Sequence, residues 1–478
     1  MINMETLLSL RKKYLAGEEK PSTYIQKVLE EIKNKDKDIG AFLEVYEDSI
    51  KEAELADQVI LEQGPKSPIL TGIPVAIKNN ILIKGKKATA ASKILENYVA
   101  TYDATVIARL KAEGAILIGA TNMDEFAMGS STENSAFKIT KNPLDPSRVP
   151  GGSSGGSASA VAMGAVPVAL GTDTGGSIRQ PASYCGLVGY KPTYGAVSRY
   201  GLIAMGSSLD QAGPLSHTVA DAKIVHEIIS GLDSYDGTTI APDTYPKREE
   251  KTKYVFGVPP KFLSSGIDPD VMQSFNEHVA LLKTEGHEVV DIDLPLFEAG
   301  LAAYYIVMPA EVSSNLARFD GMRYGLSAPG EDLLDVYCNT RALGFGQEVK
   351  RRILLGTYVL SSGYYDAYYK RAERVREEMR KELDQAFTKV DFIITPTTPT
   401  PAFKIGEQTD SLAMYRQDIF TVPVNLTGVP AISFPMGEVE RDGQKLPIGV
   451  QYIGPHGSDD LLLTVSGQIY DQKILGLF

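Results

Sequence analysis

The chain has 478 residues, and its 43% hydrophobic and 23% charged content is typical of a globular protein with a large buried core. That length allows one large domain or two or three smaller ones. The formal net charge of −12 argues against a stand-alone nucleic-acid-binding protein, because phosphate neutralisation needs clustered lysine and arginine.

The cysteines and the apolar segments limit the compartment. Cys185 and Cys338 are too few and too far apart for a disulfide framework or a cysteine metal site, which fits a reducing compartment. The N-terminal apolar run is too short for a signal peptide, and no apolar stretch is long enough to predict a membrane span. We therefore expect a cytoplasmic protein with no membrane contact and no metal site.

The first 65 residues are predicted to be helical. Apolar residues recur at helical spacing around residues 7–14, 23–32 and 48–62. The second helix is expected to begin near Thr23, because Thr23-x-x-Gln26 resembles a capping box. We expect residues 1–65 to form an N-terminal helical segment packed on the core.

From residue 71 onwards, short apolar runs alternate with helical stretches and glycine-rich turns, which is typical of a layered α/β fold. Residues at about 300–390 are predicted to be mostly helical, and the strands after them to complete the sheet that begins near residue 71. We therefore predict one mixed α/β domain over residues 66–478, with a largely helical insertion at about 300–390. The predicted strands are residues 73–77, 115–118, 166–170, 187–190, 254–258, 288–292, 392–395, 431–434 and 449–453.

The segment from residue 150 to residue 193 holds two turns of small residues, at 151–156 and 172–177, separated by a helix and a strand. Glycines in such turns permit positive φ and let a substrate approach the backbone closely. Successive N–H groups at the start of a helix suit an anionic oxygen. Ser177 ends the second turn, where its hydroxyl can attack a carbonyl while these N–H groups stabilise the oxyanion.

The residues alone leave other interpretations of these turns open. Gly151-x-Ser153-x-Gly155 matches the nucleophile elbow of α/β-hydrolases, but that motif should follow a strand and needs a late histidine. A phosphate loop would need a lysine that the turns lack. The single Asp-Thr-Gly triplet at 173–175 resembles that of aspartic proteases, which need two such carboxylates. Purely structural turns are the remaining alternative.

Two further features favour a chemical role. The chain has five histidines, and none of them adjoins the serine turns in sequence. Lys78 directly follows the apolar run at 73–77, and a lysine flanked by apolar strand residues is unusual because burial lowers its pKa. A neutral amine can act as a general base toward a serine. The alternative is an edge lysine whose charged end reaches solvent.

Together these motifs resemble the amidase signature family, through GIPVAIKNN around Lys78, GGSSGGSA around Ser153 and GTDTGGSIRQPASYCGLVGYKPT around Ser177. The resemblance implies one large domain with a central mixed β-sheet flanked by helices. It also implies Ser177 as the acylated nucleophile, Ser153 as the bridging serine and Lys78 as the base. Ser154 is the rival for the bridging role. The implied oxyanion hole consists of the backbone N–H groups of Thr174, Gly175, Gly176 and Ser177.

Within that family the chain is most similar to the A subunits of glutamyl-tRNA(Gln)/aspartyl-tRNA(Asn) amidotransferases. The similarity includes TNMDEFAMGSSTENSAF at 121–137 and MYRQDIFTVPVNLTGVPAIS at 414–433. It implies that Arg352 binds the α-carboxylate of glutamine and Asp418 its α-ammonium, which agrees with the chemistry of those groups. A solvated helix charge is the alternative for Arg352.

Three more positions are implied to line the glutamine site, namely Tyr304 and the backbone around Ala127 and Met128. Arg351 and Tyr305 adjoin two of the implied positions, so those assignments can shift by one residue.

The resemblance also implies a reaction and partners. The chain would hydrolyse glutamine and supply ammonia for converting Glu-tRNA(Gln) to Gln-tRNA(Gln), with Asp-tRNA(Asn) as an open second acceptor. A B subunit would bind the charged tRNA and use ATP and Mg²⁺, and a small C subunit would complete a heterotrimer with an internal ammonia channel. This chain itself would need no cofactor. The alternatives are a stand-alone amidase for other carboxamides and a non-catalytic scaffold.

Overall fold

A computed structural model describes residues 5–241, 243–264, 266–408 and 410–475, with side chains described to residue 471. Eleven strands of this part of the chain form one mixed sheet. In chain order they are β1 (Phe42–Val45), β2 (Pro74–Lys78), β3 (Ile116–Thr121), β4 (Val168–Asp173), β5 (Val188–Lys191), β6 (Gln211–Ser216), β7 (Val255–Val258), β8 (Glu288–Asp291), β9 (Phe392–Pro396), β10 (Ala431–Arg441) and β11 (Gln444–Ile453).

The helices pack around this sheet. In chain order they are α1 (Leu7–Ala16), α2 (Pro21–Ile39), α3 (Ser49–Gln63), α4 (Thr105–Ala112), α5 (Gly155–Ala162), α6 (Arg179–Cys185), α7 (Val219–Ile229), α8 (Pro269–Thr284), α9 (Gly300–Asn315), α10 (Leu333–Gly344), α11 (Gln347–Val359), α12 (Lys370–Ala386), α13 (Ser411–Arg416), α14 (Val422–Thr427) and α15 (Asp459–Leu475).

The strands lie across the sheet in the order β1-β3-β2-β4-β6-β5-β10-β11-β9-β7-β8. Strand β2 runs parallel to both β3 and β4, whereas β10 pairs antiparallel with β5 and β11. The C-terminal strands therefore complete the sheet that begins at β2, as predicted. The predicted α/β domain with a central mixed sheet flanked by helices is confirmed.

Strand β2 lies in the interior, and its alternate residues face opposite sides of the sheet. Val75 and Ile77 pack in a cluster with side chains of α1, α4 and α7, whereas Ala76 packs with α2, α3 and α5. Both faces of β2 are thus covered, so the end of this strand lies deep in the protein. Lys78 is that end.

Three local predictions are wrong. Residues 42–45 form β1, an edge strand paired antiparallel with β3, so the first 65 residues are not helical throughout. Strand β6 was not predicted, because Pro214 and a glycine interrupt its apolar pattern. Thr23 lies inside α2, which begins at Pro21, since proline suits the first helical position, where its missing N–H costs no bond.

The predicted insertion consists of α9 to α12 in the described residues, and its helices α9 and α11 pack closely. Gly356 permits this approach, because a Cβ at that position would overlap the carbonyl oxygen of Pro309 on α9. The insertion carries Tyr304 on α9 and Arg352 on α11. Packing of these two helices therefore fixes where two of the predicted substrate residues stand.

Through strand β1, the N-terminal segment contributes a strand to the sheet of the main domain. The division of the chain at residue 65 stays a prediction. Among the described helices, none combines the length and the apolar character that crossing a membrane requires.

Replacing Gly356 by alanine is expected to lower the free energy of unfolding by about 1–3 kcal/mol, because the added Cβ forces α9 and α11 apart. The loss would occur although alanine is the better helix former. Urea denaturation measures it. Gly237→Ala is the control, since a Cβ there meets no atom within 4 Å. Equal stabilities of the two variants would contradict the close packing of α9 on α11.

Candidate active site

Lys78 lies at the centre of the candidate site and is completely buried, with 0% of its surface exposed. Its Nζ lies 2.8 Å from Ser153 Oγ, 2.8 Å from Ser154 Oγ and 2.9 Å from Thr172 Oγ1. Strand β2 supplies the lysine, and its parallel neighbour β4 supplies the threonine. The amine therefore faces hydroxyls in the protein interior rather than solvent.

Burial lowers the pKa of Lys78 to about 7, and the carboxylates of Asp124, Asp173 and Asp210 partly oppose that shift. A buried ammonium loses its hydration, so the uncharged amine is favoured. Near neutral pH a large fraction of Lys78 is therefore able to accept a proton.

The two candidate bridging serines differ in their other contacts. Ser154 Oγ donates to the carbonyl oxygen of Thr172 at 3.1 Å and accepts the N–H of the same residue at 3.3 Å. Among the described residues, Ser153 Oγ has one hydrogen-bond partner, the amine of Lys78. The Ser154 hydroxyl is therefore tied to β4, whereas the Ser153 hydroxyl has capacity left for a second partner, which favours Ser153 as the bridge.

The turn of Ser177 lies against the turn of Ser153. The N–H of Ser154 donates to the carbonyl oxygen of Ser177 at 3.2 Å. Ser177 is 8% exposed, the most accessible of the three predicted catalytic residues. The fold thus brings together the three residues that the motifs singled out, with the predicted nucleophile nearest the surface.

The predicted oxyanion hole needs one correction. The N–H of Gly176 donates to Asp173 Oδ1 at 2.8 Å, so this donor is already occupied. Within the described residues, the N–H groups of Thr174, Gly175 and Ser177 have no such acceptor. These three groups remain candidates for binding an anionic oxygen.

Asp173 holds this turn through a buried ion pair that the sequence motifs did not reveal. Arg179 donates from Nε to Asp173 Oδ2 and from Nη2 to Oδ1, both at 3.0 Å, and both side chains are fully buried. Burial alone would raise the pKa of Asp173, but Arg179, together with Lys191 and Asn425, outweighs that effect and holds the pKa well below its usual range. An arginine two residues after Ser177 was the available signal.

Tyr304 lies directly against the same turn, and Asp418 is connected to it through Thr421. Tyr304 is buried with its hydroxyl end against Gly175, where a Cβ would lie 2.8 Å from Oη. Thr421 Oγ1 donates to the Gly175 carbonyl oxygen at 2.6 Å, and its N–H donates to the Asp418 carbonyl oxygen. The Asp418 carboxylate accepts from Ser130 Oγ at 2.5 Å. Burial raises the pKa of Asp418 to about 7.

Arg352 and its neighbour Arg351 lie in different environments. The Arg352 side chain is 4% exposed and donates to Glu348 Oε1 at 2.8 Å, whereas that of Arg351 is 50% exposed. The Arg352 guanidinium lies 5.6 Å from the ring centre of Tyr305. A cleft of about 180 Å³ opens beside both arginines, lined also by Asn134 and Tyr415 among others. Arg352 is thus the member of the pair that faces inward.

Ala127 and Met128 lie in a tight buried turn. Phe126 and Ala127 adopt φ values of +50° and +62°, which few residues other than glycine adopt. The N–H of Ala127 donates to the Asp124 carbonyl oxygen at 2.9 Å, and Asn134 Nδ2 donates to the Met128 carbonyl oxygen at 3.1 Å. The turn is therefore held rigidly from both sides.

The alternatives based on histidine or paired carboxylates find no support. The rings of His217, His278 and His456 bond to Val161, Tyr452 and Thr427 respectively. His287 Nδ1 accepts the N–H of Tyr254, and His226 Nε2 lies 3.8 Å from Asp459 Oδ1. Asp173 is neutralised by Arg179 rather than paired with a second acid.

The chain is similar over most of its length to known amidases. The family model described as Amidase matches residues 23–463. The second glutamyl-tRNA(Gln) amidotransferase A subunit of Clostridium acetobutylicum is 51% identical over 465 residues, covering 94% of this chain and 95% of that protein. The crystal structure of the glutamyl-tRNA(Gln) amidotransferase A subunit from Thermotoga maritima is 45% identical, with a TM-score of 0.78 over 96% of this chain and 92% of that one. A crystal structure of an amidase is 30% identical, with a TM-score of 0.83 over 98% and 100% of the two chains.

Proposed function

This chain belongs to the amidase family, and from that premise we propose that it is the glutamine-hydrolysing subunit of a tRNA-dependent amidotransferase. Its relatives over nearly the whole length are named as subunits of glutamyl-tRNA(Gln) amidotransferase. The single observation that carries the chemistry is the buried Lys78 amine, bonded to Ser153 beside the turn of Ser177. A Ser-Ser-Lys relay fits this arrangement.

In the proposed first step, Ser177 attacks the side-chain carbonyl carbon of glutamine. Its hydroxyl proton passes to Ser153, and the proton of Ser153 passes to the neutral amine of Lys78. The carbonyl π electrons move onto oxygen, and the resulting oxyanion is held by backbone N–H groups at 174, 175 and 177. Such donors stabilise charge that develops only in the transition state.

Collapse of the tetrahedral intermediate restores the carbonyl and breaks the carbon–nitrogen bond. The leaving nitrogen takes back the proton from Lys78 through Ser153 and departs as ammonia. Water then attacks the γ-glutamyl ester of Ser177, with Lys78 accepting its proton by the same route. Ser177 regains its proton when glutamate leaves, so the relay returns to its starting state.

Glutamine recognition is proposed to use the charged residues on either side of the turn. The Arg352 guanidinium offers donors to the α-carboxylate, and Asp418 offers an acceptor to the α-ammonium. An incoming ammonium favours the ionised form of Asp418, whose pKa burial raises to about 7. Tyr304 and the rigid turn of Ala127 and Met128 would confine the rest of the substrate.

Ammonia released in water is quickly protonated and loses its nucleophilicity, so its transfer requires a sheltered route. The relatives are named as subunits, which supports a complex with further subunits. We propose a B subunit that binds charged tRNA and uses ATP and Mg²⁺, and a C subunit that completes a cytoplasmic heterotrimer with an internal ammonia channel. No step in this chain depends on either cofactor.

Ser177→Ala is expected to lower glutamine hydrolysis by roughly 10⁴-fold or more, because no other group can form the acyl ester. The measurement is ammonia release, together with mass spectrometry for a covalent adduct with an acylating amide analogue. Ser159→Ala is the control, since this buried serine on α5 bonds to the Lys141 carbonyl oxygen instead. Undiminished turnover, or no adduct in the parent protein, would refute the mechanism and favour a scaffold.

Arg352→Gln separates the glutaminase from a stand-alone amidase for other carboxamides. A lost charged hydrogen bond to the α-carboxylate should raise the KM for glutamine by about 10- to 100-fold. Hydrolysis of propionamide, which lacks that carboxylate, should change by less than about 3-fold. Arg351→Gln is the matched control, because that side chain is half exposed. Equal losses for both substrates would count against an α-carboxylate clamp.

A further inference from the structure

Glu125 is a buried carboxylate that the proposed chemistry does not use. Its Oε1 accepts from Ser92 Oγ at 2.5 Å, and its Oε2 accepts from the N–H of Gly346 at 2.8 Å. Ser92 Oγ also lies 3.1 Å from the carbonyl oxygen of Gly344, the last residue of α10. Glu125 thus contacts the start of α11 directly and is linked to the end of α10 through Ser92.

Gly346 is the N-cap residue of α11, and as a glycine it has no side chain that could cap the helix. Glu125 accepts the N–H of Gly346 itself from a distant part of the sequence, as the glutamate of a capping box does, and a carboxylate is favoured at a helix N-terminus. A Cβ at Gly346 would overlap Glu125 Oε2, so the glycine is what lets the carboxylate approach.

The neighbouring residue strengthens the same joint. The ring of Phe126 lies 5.7 Å from that of Phe345, which stands between the two glycines, and 5.0 Å from that of Phe319. Glu125 and Phe126 therefore hold the start of α11 by a hydrogen bond and an aromatic contact, and burial raises the pKa of Glu125 to about 7. Both belong to the turn that continues directly into Ala127 and Met128.

Helix α11 carries Arg352 on its buried face, between Val349 and Gly356. Gly356 fixes the far half of the helix against α9. The position of the Arg352 guanidinium relative to the turn at 127–128 then depends on how the N-terminus of α11 is held. Both oxygens of Glu125 already have protein partners, so a direct contact with substrate is not its role.

We propose that Glu125 is a positioning residue that sets α11, and with it Arg352, against the turn that lines the glutamine site. The proposal rests on the proposed function of Arg352 as the α-carboxylate ligand. A purely structural carboxylate would affect all substrates alike, whereas a residue that acts through Arg352 affects only substrates with an α-carboxylate.

The test uses the full chain assembled with its partner subunits. Glu125→Ala removes the capping contact and is expected to raise the KM for glutamine by about 5- to 30-fold, with kcat nearly unchanged. Glu125→Gln keeps one acceptor oxygen and is the second variant in case Glu125→Ala fails to fold. Glu113→Ala is the control, because its carboxylate also accepts a backbone N–H, from Ile69, away from α11.

The expected pattern has two parts. First, the Glu125 variants hydrolyse propionamide within about 3-fold of the rate of the parent protein. Second, a change at Glu125 adds no further rise in the KM for glutamine when Arg352→Gln is already present, because the effects of coupled sites are non-additive. An equal loss for both substrates, or additive effects with Arg352→Gln, would overturn the proposal. If the parent complex hydrolyses neither substrate, the proposed function itself fails, a different outcome from either of these.

Discussion

The site depends on keeping the amine of Lys78 uncharged inside the protein. Burial at the end of β2 removes the hydration that an ammonium needs, but three carboxylates nearby favour the charged form. Asp173 lies within the turn of Ser177, and Arg179 neutralises it with two hydrogen bonds. The buried arginine therefore serves two purposes: it holds the turn of Ser177 in shape, and it reduces the negative charge that would otherwise keep Lys78 protonated.

The fold supplies this arrangement through the order of its strands. Because β2 and β4 are parallel neighbours, the ends that carry Lys78 and Thr172 lie side by side. The turn of Ser153 enters α5 and the turn of Ser177 leads into α6, and one backbone bond from Ser154 joins the two turns. The residues proposed to bind the α-carboxylate and α-ammonium of glutamine come instead from the helical insertion and from the segment around Asp418. The proposed chemistry thus belongs to the sheet and its turns, and the proposed specificity belongs to helices and loops packed against those turns.

How much of this was predictable from sequence depended on whether partners lie close together in the chain. The apolar runs predicted nine of the strands, and the contiguous motifs around Lys78, Ser153 and Ser177 predicted a site whose members the fold does bring together. Strand β6 escaped because proline and glycine break its pattern, and β1 because a short strand between helices resembles a helix end. The cap of Glu125 on α11 was not predictable, since it joins groups 221 residues apart whose pairing leaves no local pattern. The bond of Gly176 to Asp173 spans only three residues, and it was missed because the same N–H was assigned to the oxyanion hole.

The most direct test is the titration of Lys78 itself. Lysine labelled with carbon-13 at Cε gives a resonance for each side chain, and the one missing in Lys78→Arg identifies position 78. The account predicts that this resonance titrates near pH 7, in keeping with an amine that burial leaves uncharged at neutral pH. A midpoint near the ordinary lysine value of 10.5 would mean a charged ammonium in the site and would contradict the proposed relay.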